Sequence, residues 1–171
     1  MPRFDHLRSL EPGQWAIHHL LHEDNAPQVC AGAVIEFAVE LDMTARWLHG
    51  DVPDPPTVTP RDAFGYEVIS TIVGGSVSLG NFRASYTHSD PSLDGLPVRF
   101  RGRLSLMDWD ERGRASDEAP ASLVRRWRVE HLLTRGENRW RDQGGFVEVR
   151  DTSSRRGEDA GGCFVLICTL A

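Results

Sequence analysis

The 171-residue chain reads as an all-β protein, a closed antiparallel β-barrel of about eight strands with a short N-terminal helix. Three observations predict this. In residues 98–106 every even position is apolar or Gly and every odd position is Arg or Ser, the side-chain period of a strand with one face in water. Several further alternating runs are separated by turn signals such as Gly74-Gly75, Ser89-Asp90-Pro91 and Gly136-Glu137-Asn138. Helical spacing is confined to one segment near the start, residues 14–23.

In that segment Trp15, His18, His19 and His22 recur at helical spacing beside a stripe of Ile17, Leu20 and Leu21. His18 and His22 are spaced as a metal pair, but no H-E-x-x-H pattern accompanies them. An amphipathic helix that lies on or caps the sheet is the expectation. Residues 1–30, leader and helix together, would then form a lid or a fixed cap over one mouth of the barrel.

Residues 34–43 alternate Ile35, Phe37, Val39, Leu41 and Met43 against Glu36, Glu40 and Asp42, a first strand. Residues 44–62 carry four prolines between Pro53 and Pro60 and are expected to be a long loop. A second strand follows at 63–73, and the run around Gly80-Asn81-Phe82-Arg83 and the run 98–106 supply the third and fourth. Residues 109–121 are a polar excursion. Strands are further expected at 123–134, 145–151 and 163–170. The last is apolar on both faces and so needs covering on both, by the N-terminal helix or by the second subunit of a homodimer.

One domain accounts for this length. The net charge of −6 argues against a nucleic-acid partner. The chain contains no Lys, which removes lysine Schiff-base chemistry and a lysine-dependent phosphate loop. Cys30, Cys163 and Cys168 follow no zinc spacing, and an odd count argues against a disulfide framework. Without an apolar signal core or a membrane-length run, a cytoplasmic protein is expected, with no membrane partner. Nucleophile elbow, dinucleotide fingerprint and paired zinc cysteines are all missing from the sequence. Pattern alone therefore reaches a barrel that could hold an apolar ligand.

Gly80-Asn81-Phe82-Arg83 with Tyr86, the Asp90-Pro91 to Phe100 turn and strand, the Trp127 strand and Gly145-Phe146 together resemble the spirotetronate cyclases. These small Diels–Alderases of polyketide biosynthesis have a barrel similar to allene oxide cyclase, and the resemblance runs over residues 34–151. It implies a [4+2] cycloaddition, without any cofactor, of a linear polyene carrying a tetronate or tetramate ring. It also implies that Phe64 matches an aromatic gate residue and that Phe100 stands where the family has a substrate-touching tyrosine. Val149 replaces a family tryptophan. Strand parity adds Tyr66, Val98, Leu104, Trp127 and Val147 as inward, substrate-binding candidates.

Glu130 and His131 are the titratable, candidate catalytic pair near Trp127. Adjacent strand residues face opposite ways, so at most one points inward unless a bulge intervenes. His131 shares the parity of Trp127 and is the candidate hydrogen-bond partner for a substrate carbonyl; a rim histidine without a role is the alternative. Arg83 is expected in a structural ion pair. Two other functions fit the same pattern. One is a non-catalytic, lipocalin-like carrier of a hydrophobic metabolite. The other is a small barrel isomerase or dehydratase, which would need a buried His/Asp or His/Glu pair.

Overall fold

A computed structural model of the chain describes residues 3–4, 10–20, 29–48, 50–51, 53–86, 91–107, 121–135, 146–152 and 163–171. The expected turn at 136–138, most of the polar excursion at 109–121, and His22 lie outside the described residues. The described residues form strands joined by turns, with three short 3-10 segments and no α-helix. No helix among them is long and apolar enough to cross a membrane.

The strands are β1 (Arg3–Phe4), β2 (Trp15–Leu20), β3 (Val34–Phe37), β4 (Val39–Leu48), β5 (Thr57–Arg61) and β6 (Gly65–Val73). They continue with β7 (Ser76–Ser78), β8 (Arg83–Ser85), β9 (Pro97–Leu106), β10 (Arg125–Arg135), β11 (Phe146–Val149) and β12 (Cys163–Leu170). All belong to one twelve-stranded sheet. Following the pairings from β9 through β4, β8, β7 and β6 returns to β9, a closed five-stranded ring. The sheet also continues from β9 through β2, β12, β10 and β11 to β1, while β3 pairs with β10. The barrel expectation therefore holds, but five strands rather than about eight close it, and the sheet is mixed rather than antiparallel: β2–β9 and β4–β8 are parallel pairs.

β9 sets the wall. Val98, Phe100, Gly102, Leu104 and Leu106 are buried, while Arg101 and Arg103 are exposed and Arg99 is half-buried. Its even positions face in and its arginines face out, as alternation demands. β4 lies along one edge of β9, from Leu48 opposite Val98 to Val39 opposite Leu106. The other edge is shared, with β6 on residues 97–102 and β2 on Leu104 and Ser105. Gly102 sits where these partners meet. A Cβ there would drive into the backbone carbonyl oxygen of Asp42, so only Gly lets β4 approach this closely.

The expected N-terminal helix is a strand. β2 runs antiparallel to β12, from Trp15 opposite Cys168 to Leu20 opposite Cys163, and parallel to β9 on its other side. Ala16, Ile17, His18 and His19 are all buried, none more than 7% exposed. The segment thus has no solvent face, and its helical-looking stripe is an accident of histidines counted as polar. Strand pairing prevails because a helix here would leave the amide edges of β9 and β12 without partners. A lid at this place would have to break both pairings.

Residues 44–62 also differ from the expected loop. β4 continues to Leu48, and β5 pairs with β6 from Thr57 opposite Ile69 to Arg61 opposite Gly65. Pro60 is tolerated because β5 is an edge strand, whose outer side needs no amide donor. The Gly74-Gly75 turn joins β6 to β7 with both φ angles positive, at 59° and 70°, the geometry of a tight hairpin. β12 is buried on both faces as expected, from Phe164 to Cys168.

Two measurements check this architecture. Gly102→Ala should destabilise the protein by about 1–3 kcal/mol in denaturant unfolding, the range for overpacking at a site that cannot relax. Deleting residues 1–24 should remove the cooperative thermal transition altogether, because it strips a central strand. A truncated protein that still melts cooperatively would show that β2 is dispensable.

Candidate functional site in the barrel interior

Core side chains form a continuous run of aromatic rings. Tyr66 lies 5.7 Å from Trp15, and Trp15 meets Phe82 at 4.8 Å and 89°. Phe82 meets Trp127 at 5.0 Å and 88°, and Trp127 stacks on Phe37 at 5.6 Å and 16°. The rings come from β6, β2, the turn between β7 and β8, β10 and β3, so distant parts of the chain converge on one point. Edge-to-face and offset pairs of this kind add to the burial of the rings. Tyr86 and Phe100 form a second contact at 6.0 Å, and Arg46 Nη1 donates to the Tyr86 hydroxyl at 3.2 Å.

Strand register places the candidates from the sequence. Tyr66 opposes Gly102 and Val68 opposes Phe100, so Tyr66, Val98, Phe100 and Leu104 share one face. Leu104 opposes Ile17, Ile17 opposes Leu166, and Leu166 opposes Leu132 and thus the Trp127 side of β10. Val147 and Val149, opposite Thr134 and Leu132, lie on that face too and are half-buried. Phe64 sits apart. It is in the left-handed region at φ 59° in the turn before β6, and it packs edge-on against Phe146 at 4.8 Å. Its carbonyl oxygen is 3.3 Å from His18 Nε2. Because His18 and His19 are adjacent on β2, they face opposite ways, which is not how a metal pair is built.

Burial and a hydrogen bond tune Tyr66. The Ala16 amide donates to its hydroxyl at 2.7 Å, yet desolvation dominates and pushes the phenol above its ordinary range. Burial likewise pushes the Cys168 thiol up, with the Glu130 charge adding to it. Neither group is a ready nucleophile or base at neutral pH.

A β-bulge decides where Glu130 and His131 point. Val129 opposes Cys168, but the next paired residue, His131, opposes Ile167, so Glu130 is the extra residue. The strand's parity is therefore shifted by one beyond Val129. Trp127 and Val129 face in, Leu132 continues that face, and His131 turns away from it. Its side chain is 40% exposed, with Nδ1 2.6 Å from Glu148 Oε1. Glu130 accepts from the Thr169 hydroxyl at 2.9 Å. The turn at residues 31–33 pins the bulge: the Gly32 amide donates to the Val129 carbonyl, and the Val129 amide to that of Ala33.

Trp15, Phe37 and Phe82 are the site members that sequence reasoning left off its candidates. Trp15 was hidden by the helix expectation, although the alternation of Trp15, Ile17 and His19 places all three on one strand face. Phe82 stood in the quoted motif, and its parity with Tyr86 was the available signal. Arg83, in the same motif, donates to the Ser76 hydroxyl at 2.9 Å, which ties β8 to β7, and among the described residues it joins no ion pair.

The outward face of the wall carries a separate polar latch. Glu67 on β6 receives Arg61 from β5 at 2.7 Å, and Arg99 and Arg101 from β9 at 2.7 and 3.0 Å. Both β9 guanidinium groups lie over the Trp47 ring of β4, at 5.6 and 5.4 Å. Arg61 first, then Arg101 and Arg99, hold the Glu67 carboxyl down at about 2 from an ordinary 4.5. A carboxyl lowered on folding stabilises the protein above its unfolded value and loses that contribution as pH falls through its folded value. The Glu67 contribution should thus be intact above pH 4.5 and fade towards pH 2. In urea unfolding, the stability gap between wild type and Glu67→Gln should narrow across that window; a constant gap would show that the latch does not act through charge.

No family model, curated protein or solved structure matches the chain.

Proposed function

We propose that the protein is a cofactor-free cyclase that folds a linear polyene, carrying a tetronate or tetramate ring, for an intramolecular [4+2] cycloaddition. The observation that supports this reading best is the run of rings from Tyr66 through Trp15, Phe82 and Trp127 to Phe37, which joins the closed ring to the strands β2, β10 and β3 beside it. Flat, rigid, apolar faces suit a conjugated chain and lose little conformational entropy on contact. The resemblance of the Gly80-Asn81-Phe82-Arg83 stretch to spirotetronate cyclases points the same way, since that stretch delivers Phe82 to the centre of the run.

Such a site works by restricting shape. Holding diene and dienophile at reacting distance removes the entropy of finding that arrangement, and well-oriented intramolecular reactions gain roughly 7–11 kcal/mol in this way. The transition state exchanges π bonds for σ bonds with no proton to move. Buried, neutral Tyr66 and Cys168 are compatible with that chemistry, and the outward His131–Glu148 pair is not required by it.

That pair favours one competing reading. A histidine oriented by a carboxylate at 2.6 Å is the apparatus of an acid–base isomerase or dehydratase. One experiment separates the readings. Incubation with a linear polyene tetramate or tetronate should yield a cyclic isomer of unchanged mass, and turnover should survive chelators. His131→Ala should change that rate by less than about twofold, whereas loss of a general base costs about 100-fold or more. Tight binding with the polyene recovered unchanged would assign the protein as a carrier instead.

A further inference from the structure

The two indoles that flank Phe82 share a property that packing does not explain. Trp15 Nε1 and Trp127 Nε1 are buried, and neither has a hydrogen-bond partner among the described residues. Trp127 is wholly buried, so water does not reach its N–H. Buried donors are rarely left unmatched, because each has surrendered a bond to water for nothing in return. Here two of them flank the same ring at 4.8 and 5.0 Å, and that ring has no acceptor oxygen to offer. The face of a benzene ring is at best a weak acceptor.

Phe82 is also the ring of this group that is held most locally. It does not lie in a long strand but in the turn between β7 and β8, each of which is three residues long. The turn is closed by the Leu79 amide donating to the Phe82 carbonyl at 2.9 Å. Trp127 and Trp15, by contrast, sit in strands paired on both sides. Short, locally bonded segments open at lower free energy than central strands. A side chain on such a turn can leave while the walls stay in place.

We propose that Trp15 and Trp127 form an oxygen-binding site that Phe82 plugs. When an apolar polyene enters, Phe82 swings out and the two indole N–H groups donate to one carbonyl or enol oxygen on the ligand. The site suits a neutral oxygen acceptor, since both donors are uncharged and, among the described residues, the arginine–ring stacks fall on Trp47 and not on this run. This inference rests on the barrel enclosing an apolar molecule, and it deepens that reading by fixing the ligand's polar end between β2 and β10. The polyene then extends from that anchor along the remaining rings.

The test uses methyl parinarate, a neutral conjugated tetraene ester, beside the matching tetraene hydrocarbon without the ester. In the full chain with isotope-labelled tryptophan, the indole N–H resonances of Trp15 and Trp127 are identified by their loss in Trp15→Phe and Trp127→Phe. Saturation with the ester should move both resonances downfield, and the hydrocarbon should not. Phe82→Ala should bind the ester more tightly than wild type, read from the tetraene's fluorescence. Adding Trp127→Phe should cut ester affinity by about 2–10-fold, the worth of one hydrogen bond, and leave hydrocarbon affinity unchanged. Unmoved resonances at saturation, equal effects on ester and hydrocarbon, or no binding to either protein would each overturn the proposal. If Phe82→Ala fails to fold, the wild-type resonances still decide. Ester binding with both donors engaged but no cyclisation of a polyene tetramate would sink the cyclase reading alone.

Discussion

Everything inside the barrel depends on the registry of β9 with three different partners. One strand carries β4 along its full length on one edge, and β6 followed by β2 on the other. A slip of one residue in any of these pairings would put Arg99, Arg101 and Arg103 into the interior and expose Phe100 and Leu104. Burying unpaired guanidinium groups is far more costly than losing any one ring contact. The arginines therefore fix the orientation of the wall by what they exclude. Their outward positions then allow the Glu67 latch and the Trp47 stack, which join four neighbouring strands from the solvent side.

With the wall so fixed, the interior becomes a place where chains remote in sequence must meet. Trp15, Tyr66, Phe82 and Trp127 come from four different strands or turns. The ion pairs sit outside, in the Glu67 latch and the His131–Glu148 pair, while inside are aromatic rings, a neutral phenol, a neutral thiol and the buried His19. That division leaves electrostatics to the outer face, and shape and packing to the inner one.

How much of this could be read from the residues depended on solvent. β9 was legible because one face is wet, so apolar and arginine positions separate cleanly by parity. β2 was not, because Ala16 through His19 are covered on both sides and no alternation survives. Two bulges were invisible as well. The shift between Met43 and Ala45 and the extra residue at Glu130 each reverse parity in mid-strand. The second sends His131 to the outside, although counting from Trp127 points it inward. β5 was obscured by its prolines, which are admissible only because the strand is an edge. Of the interior rings, Tyr66, Phe100 and Trp127 followed from parity, whereas Trp15 required the pairing of strands far apart in the chain.

The position of β2 between β9 and β12 has a consequence for how the protein comes into being. An earlier segment is clasped by a much later one: residues 15–20 must wait for residues 163–170 before their second edge is filled. On a ribosome, the sheet beside the five-stranded ring thus stays open until residues 163–170 emerge, with buried-type residues such as Ala16 and Ile17 exposed until then. Pairings of such long sequence separation are slow to form. An open sheet edge of this kind is also where unwanted association begins. Protection of the nascent N-terminal segment, rather than the strength of the finished fold, then becomes the step that governs the yield of active protein in a cell.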